Sequence, residues 1–143
     1  MILALENLAV GYGQSPVGEG IDFTIAAGEA LCVLGPNGVG KTTLFKAMLG
    51  LAPPLAGRVM LDGRPLARWS DGERARAIGY VPQAQGAVFP FTVRDLVLMG
   101  RAPHISPFAA PGARDVEIVE AVLGRLGLAY LAERPCTEIS GGE

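Results

Sequence analysis

The sequence is poor in the residues that build metal centres and disulfide frameworks. It has one histidine, His104, and two cysteines, Cys32 and Cys136, among 143 residues. The cysteines lie far apart and neither belongs to a CxxC pair, so the sequence indicates neither a zinc site nor a disulfide framework. A single histidine excludes a multi-histidine metal centre. We therefore interpret both cysteines as inert free thiols.

The sequence also lacks an excess of positive charge and any long apolar run. Its formal net charge is -2, which disfavours a nucleic-acid partner because such binders gather phosphates with a broad positive field. No apolar stretch approaches the roughly 20 residues of a membrane-spanning helix, and the amino terminus shows no signal-peptide pattern. We expect a protein that is made and kept in the cytoplasm, without DNA or RNA.

Half of the residues are apolar, which is enough for one compact domain with a core. Residues 2–10 and 21–25 have the alternation of strands, and residues 30–34 form an uninterrupted apolar run. Such a run is typical of a strand covered on both faces, as in parallel sheets. A glycine-rich loop follows, and then helical spacing over residues 42–49. The order of strand, loop and helix predicts an α/β fold.

The later part of the chain alternates short strands with capped helices. Residues 57–63 and 78–83 are predicted strands, the first ending in an Asp-Gly turn. Capping pairs predict helix starts at Ser70, with Glu73, and at Thr92, with Asp95.

Two helical faces follow from the apolar spacing beyond Thr92. The first face comprises Val93, Leu96, Val97 and Gly100, and the second comprises Val116, Val119, Leu123 and Leu126.

Residues 35–42 read GPNGVGKT and match the pattern GxxxxGK[ST] in full. Gly35, Gly38 and Gly40 allow backbone N–H groups to surround a polyphosphate closely, and the following helix turns its positive end towards it. In this pattern Lys41 reaches the β and γ oxygens of ATP and Thr42 places its hydroxyl on Mg²⁺. The alternative is a glycine-rich turn without a ligand. The predicted ATP-binding residues of this region are Gly35, Pro36, Asn37, Gly38, Val39, Gly40, Lys41, Thr42 and Thr43, the last on the α-phosphate side.

Three segments together resemble the ATP-binding subunits of ABC transporters: GPNGVGKTTL at the phosphate loop, YVPQ at residues 80–83 and ISGGE at residues 139–143. The resemblance implies an α/β P-loop NTPase core of the ABC type, with an antiparallel β subdomain and a partial helical subdomain. It places the nucleotide-binding core in residues 1–84 and the helical subdomain in residues 85–143. It also implies ATP hydrolysis with Mg²⁺.

The resemblance assigns further site residues. Tyr12, in the segment VGYG, would stack on adenine, although turn tyrosines without a ligand are common. Gln83 would act with Lys41 in catalysis, because its amide can reach Mg²⁺ and the attacking water. Ser140, Gly141 and Gly142 would bind the γ-phosphate of ATP held by a second subunit, which implies a head-to-tail homodimer. Read without the resemblance, Ser140 and Glu143 form an ordinary helix-capping box.

The resemblance also implies partners and a location. Such subunits bind transmembrane permease subunits at the inner face of the cell membrane and work indirectly with a substrate-binding protein. The segment TVRDLVLMGRAPH at residues 92–104 is similar to importers of iron-siderophore, haem, cobalamin or metal ions. Residues 94–104 would then line the groove for the permease, while His104 and Arg101 can also be read as solvated surface residues.

Family members continue beyond the signature with an apolar strand ending in aspartate and a glutamate that positions water. We therefore expect this stretch to be a fragment or a shortened gene product that is incomplete at its carboxyl end. It should bind ATP but hardly hydrolyse it, and apolar surface near the phosphate loop should be exposed. Residues 59–62 imitate the missing strand, but we interpret them as part of a turn.

Three rival functions fit the sequence less well. An ABC-type ATPase of DNA repair or chromosome organisation would carry coiled coils or zinc modules, and the segment between Gln83 and Ile139 is short and has no heptads. A non-hydrolysing regulator would dimerise on ATP without a permease. A P-loop kinase would need lid arginines, which no pattern here supplies.

Overall fold

The computed structural model describes residues 2–82, 89–106 and 108–140. The chain divides into two units, Met1–Ile78 and Gly79–Glu143. No helix in the described part is both long and apolar enough to cross a bilayer. Cys32 is an exposed free thiol and Cys136 a partly buried one.

The first unit is built on one four-stranded antiparallel sheet with the order β2-β1-β3-β4. Its strands are β1 (Leu3–Tyr12), β2 (Ser15–Ile25), β3 (Ala56–Leu61) and β4 (Arg64–Pro65). The strands predicted over residues 2–10, 21–25 and 57–63 are confirmed. The antiparallel sheet agrees with the β subdomain that the sequence implied.

A bulge in β1 sets the pattern of burial. The pairing of β1 with β3 shifts between Glu6 and Ala9, and Asn7 adopts a φ of 46°. The backbone N–H of Asn7 donates to Asp22 Oδ1 at 2.7 Å, so the bulged amide is satisfied without a ladder partner. The extra residue resets the alternation, and Leu8, Ala9 and Val10 are all buried.

Residues 59–61 belong to strand β3 and only Asp62 lies in the turn, so the interpretation of residues 59–62 as part of a turn is correct only at Asp62. Asp62 and Gly63 have φ values of 48° and 74°, the left-handed pair of a type I′ turn between β3 and β4. Asp62 Oδ1 accepts a hydrogen bond from the Ile2 backbone N–H at 2.7 Å. Its carboxylate therefore holds the start of the chain to this turn.

Two helices complete the first unit, α1 (Lys41–Met48) and α2 (Asp71–Ala77). Leu44, Ala47 and Met48 of α1 are buried in a core with β1 and β3. Helix α2 begins with the predicted capping box. A short 3₁₀ helix, Leu66–Arg68, connects β4 to α2.

Two predicted strands are absent from the structure. Residues 30–34 and 78–82 form no strand, and residue 83 lies outside the described residues. The reason is pairing: a parallel strand needs hydrogen-bonded neighbours, and neither segment pairs with a described residue in a sheet. Val81 is 92% exposed. Leu34, which directly precedes Gly35, is 85% exposed, and this confirms the expected exposure of apolar surface near the phosphate loop.

The second unit packs α3 (Val93–Met99) against α4 (Ala113–Arg125). Its core contains Val93, Val119, Leu123, Leu131 and Ala132. Three short 3₁₀ helices, Ala102–His104, Ala129–Leu131 and Cys136–Glu138, join and follow these helices. The predicted capping of α3 by Thr92 and Asp95 is confirmed.

The two predicted helical faces are confirmed in part. Val93, Val119 and Leu123 are buried, whereas Leu96, Val116 and Leu126 are 52%, 41% and 64% exposed. Val97, which was predicted, and Leu98, which was not, are partly buried and pack against the core. On α3, Val93 and Val97 lie one turn apart, and the packed side extends from them towards Leu98 and away from Leu96.

Replacing Gly57 with alanine should destabilise the first unit strongly. Gly57 has a φ of +73°, and a Cβ there would lie 2.1 Å from the Asn7 carbonyl oxygen and 2.4 Å from that of Glu6. Because backbone atoms cannot move aside cheaply, we expect a loss of at least about 2 kcal/mol in the free energy of unfolding. Urea unfolding followed by the fluorescence of Trp69 measures it.

Gly20→Ala is the matched control. Gly20 has a φ of +61°, and a Cβ there would meet nothing within 4 Å. This variant should lose only the conformational term of about 1 kcal/mol. Equal losses for the two variants would contradict the steric role of Gly57.

The stability of α2 should depend on pH through Glu73. The Ser70 backbone N–H donates to Glu73 Oε2 at 2.7 Å, and Arg64 donates to Oε1 at 2.9 Å. These bonds, with the Ser70 backbone contribution first, lower the pKa of Glu73 from 4.5 to about 2. Because its pKa is lowered, the ionised Glu73 side chain stabilises the fold at pH values above 4.5, its ordinary pKa. This stabilisation is lost as the pH falls from 4.5 towards 2.

The test compares the urea midpoint of Glu73→Gln with that of the unaltered chain across this pH range. The difference between the two proteins should shrink as pH falls. Glu19→Gln, at an exposed position of β2, controls for the loss of one charge. A difference that stays constant with pH would overturn the role of Glu73.

Candidate functional site

The loop of residues 35–40 has the backbone that its glycines were predicted to permit. Gly38 and Gly40 have φ values of +85° and +101°, a region that residues with a side chain rarely adopt. A Cβ on Gly40 would also lie 2.9 Å from Val17 Cγ2. Glycine at position 40 is therefore required twice, by its conformation and by the close approach of β2.

The start of α1 presents unpaired backbone donors. Gly40 precedes the helix without a side-chain cap, and the first turn contains no acidic residue. The first i to i-4 bond of the helix runs from the Leu44 N–H to the Gly40 carbonyl at 2.9 Å. The N–H groups of residues 41–43 precede that bond, so they and the positive end of the helix dipole are available to an anion.

The ammonium group of Lys41 bridges the loop. Its Nζ donates to the carbonyl oxygens of Gly35 at 2.6 Å and Pro36 at 2.7 Å. These bonds turn the side chain back over the loop instead of outward into solvent. An ammonium group has three donors. Its positive charge lies over the loop that leads into α1, next to the positive end of the helix dipole. The arrangement fits a polyphosphate, whose oxygens need several donors at close range.

Thr42 and Thr43 differ in their surroundings. Thr42 is exposed in the first turn of α1, whereas Thr43 is buried. The Thr43 hydroxyl donates to the Tyr12 hydroxyl oxygen at 2.9 Å. The structure thus brings the end of β1 to the first turn of α1 and places Tyr12 beside the predicted phosphate loop. Neither this bond nor the contact of Val17 with the loop has a signal in the sequence.

The remaining predicted site residues cannot be placed in the same way. Gln83, Gly141 and Gly142 lie outside the described residues. Ser140 is described in the second unit and follows the 3₁₀ helix Cys136–Glu138. Their roles stay predictions.

A groove of about 580 Å³ lies beside α3 in the second unit. Its lining is largely apolar and includes Phe91, Leu98, Met99, Ala102 and Ile105. The groove overlaps the segment 94–104 that was predicted to receive a partner.

Arg101, which was interpreted as a surface charge, is instead part of a largely buried ion pair. Arg101 Nε lies 3.0 Å from Asp115 Oδ1, and the two side chains are 22% and 17% exposed. The hydrogen bond from the Gly112 backbone N–H lowers the pKa of Asp115 most, and the hydrogen bond from Arg101 lowers it further. The pair holds the segment after α3 to the start of α4, so the earlier interpretation was wrong.

Comparison with known proteins points in one direction. Residues 19–143 match the family model described as ABC transporter. An uncharacterised ABC transporter ATP-binding protein of Haemophilus influenzae is 41% identical over all of this chain and 54% of its own length. A hemin import ATP-binding protein of Pseudomonas entomophila is 43% identical over 99% of this chain and 54% of its own length. The chain spans about half the length of these curated relatives.

Solved structures give the same picture. A transporter of the metal-chelate type, in an inward-facing conformation, superposes with a TM-score of 0.81 at 36% identity, covering 98% of this chain and 50% of that one. The protein cbiO1 of Clostridium perfringens, part of the transporter complex cbiONQ, superposes with a TM-score of 0.78 at 30% identity, covering 98% and 56%. The two share a fold with this chain.

Proposed function

The chain belongs to the ABC transporter family, whose model it matches over residues 19–143, and we propose that it binds ATP as part of the ATP-binding subunit of an importer. The observation that carries the proposal is the phosphate loop. Left-handed glycines, the open start of α1 and the Lys41 ammonium converge there. This is the geometry that a triphosphate requires.

Each residue has a proposed role in nucleotide binding. The backbone of residues 35–40 and the N–H groups of residues 41–43 surround the phosphates. Lys41 leaves one or both loop carbonyls to bind the β and γ oxygens. The exposed ring of Tyr12 stacks on adenine, which fits its position at the edge of the loop.

Mg²⁺ fits the residues at the start of α1. Mg²⁺ prefers hard oxygen ligands and commonly combines one or two protein oxygens with nucleotide phosphates and water. Thr42 offers an exposed hydroxyl oxygen in the first turn. When bound, the ion neutralises charge on the β and γ oxygens. We propose Thr42 and Gln83 as its protein ligands.

We further propose that the whole protein hydrolyses ATP. Gln83 would orient the attacking water, and Lys41 would stabilise charge on the transferred phosphoryl group. In a head-to-tail homodimer, Ser140, Gly141 and Gly142 would contact the γ-phosphate held by the opposite subunit. The described part of the chain contains no group of three or more metal-binding side chains.

The proposed transporter imports an iron-related solute. The named relatives include hemin import ATP-binding proteins and an iron chelatin transport ATP-binding protein of Helicobacter pylori, which is 35% identical over all of this chain. The apolar groove beside α3 would receive a permease subunit and so hold the protein at the inner face of the membrane. A substrate-binding protein would deliver the solute to that permease.

Lys41→Ala should weaken ATP binding about 10- to 100-fold, because a charge-assisted hydrogen bond to phosphate is lost. Isothermal titration of the intact chain with ATP and Mg²⁺ measures the affinity. Lys46→Ala removes a charge from an exposed position of the same helix and should change the affinity less than about threefold. If Lys41→Ala binds ATP as tightly as the unaltered chain, nucleotide binding at this loop is refuted.

The importer hypothesis is tested in cells. Deleting the gene should abolish uptake of radioiron supplied as hemin or as ferric siderophore, since transport needs nucleotide turnover. The unaltered gene should restore uptake, the Lys46→Ala gene should do so as well, and the Lys41→Ala gene should not. Undiminished uptake of both iron sources in the deletion strain would contradict the proposed solute class.

A further inference from the structure

The hydroxyl of Thr43 is a buried polar group with a specific partner. Among the described residues, Thr43 is the polar residue that is buried, with 6% of its surface exposed. A buried hydroxyl is unfavourable unless it is hydrogen-bonded. Here it donates to the Tyr12 hydroxyl at 2.9 Å across 31 residues of sequence. The bond joins the two parts of the site, because Tyr12 ends β1 and Thr43 lies in the first turn of α1.

Tyr12 needs such a bond to hold its position. Its side chain is 64% exposed, so packing alone restricts it weakly. The chain turns immediately afterwards at Gly13, which has a φ of +59°. A tyrosine at such a place keeps considerable freedom, and fixing it on binding would weaken affinity. The hydrogen bond to Thr43 removes part of that freedom beforehand.

We propose that Thr43 is a positioning residue that holds Tyr12 ready for the base, and so sets the separation between the base and the phosphates. The inference rests on the proposed ATP binding. Stacking uses the face of the ring and the hydrogen bond uses its edge, so the two do not compete. Thr43 therefore contributes its backbone N–H to the phosphates and its side chain, through Tyr12, to the base.

Both hydroxyl groups, of Tyr12 and Thr43, are needed for this role. Phenylalanine at position 12 would keep the ring and lose the bond. Valine at position 43 would keep the shape of threonine and lose the donor, whereas serine would keep the donor. The bond is specific to a tyrosine opposite a hydroxyl residue.

The test measures affinities of the intact chain for ATP and for tripolyphosphate, which has no base. Tyr12→Phe and Thr43→Val should each lower the affinity for ATP relative to tripolyphosphate by roughly two- to tenfold, the range of one neutral hydrogen bond. The double variant should lose no more than either single one, because both remove the same bond. Thr43→Ser should restore the ratio.

Controls separate positioning from general loosening. Tyr130→Phe and Thr24→Val change an exposed tyrosine and an exposed threonine elsewhere and should leave the ratio unchanged. A purely structural effect would weaken the binding of ATP and of tripolyphosphate equally, and that result would overturn the proposal. Additive losses in the double variant, or tighter ATP binding by Tyr12→Phe, would overturn it too. Failure of the proposed ATP binding would be seen separately. The unaltered chain would then bind neither ligand, or the Lys41→Ala variant would bind ATP as tightly as the unaltered chain.

Discussion

The packing of α1 against the antiparallel sheet is the constraint on which the site depends. Residues 30–34, which lead into the phosphate loop, lie in no sheet among the described residues, and of these Val33 packs against the core. The other end of the loop is held by Leu44, Ala47 and Met48, buried against β1 and β3. Burial of a Leu or Met side chain stabilises by about 1.5–3 kcal/mol. This core therefore fixes the direction of α1 and where its open N–H groups point.

The sequence predicted those features whose causes are local. The hairpin at Asp62 and Gly63, the capping boxes at Ser70 and Thr92, and α1 itself all depend on residues within a few positions of one another. The loop motif belongs to the same class, since its glycines dictate their own backbone. Strands at residues 30–34 and 78–82 failed because pairing depends on distant neighbours, which an apolar run cannot reveal. The bond between Thr43 and Tyr12 could not be predicted for the same reason, since the two residues are 31 positions apart in sequence.

The site also shows that local field and net charge are separate quantities. The chain has a net charge of -2, yet the loop gathers an ammonium group and a helix terminus without an acid in the first turn of α1. Many of the carboxylates elsewhere are committed: Glu6 to Arg58, Glu73 to Arg64, and Asp115 to Arg101. The two exposed pairs, of Glu6 and Glu73, stabilise little, but each of the three pairs keeps a negative charge compensated within its own neighbourhood.

The same elements that form the core of the first unit carry the proposed contacts with nucleotide. Tyr12 extends from β1 and residues 41–43 begin α1, and the two elements also share the buried cluster of Leu5, Leu8 and Leu44. A ligand that touches both elements binds only when they are packed together, so its binding free energy adds to their association. Nucleotide would then stabilise the packing that aims the loop, and that packing would hold the base and phosphate contacts at a fixed separation. Site and core are coupled because both are built from residues of the same two elements.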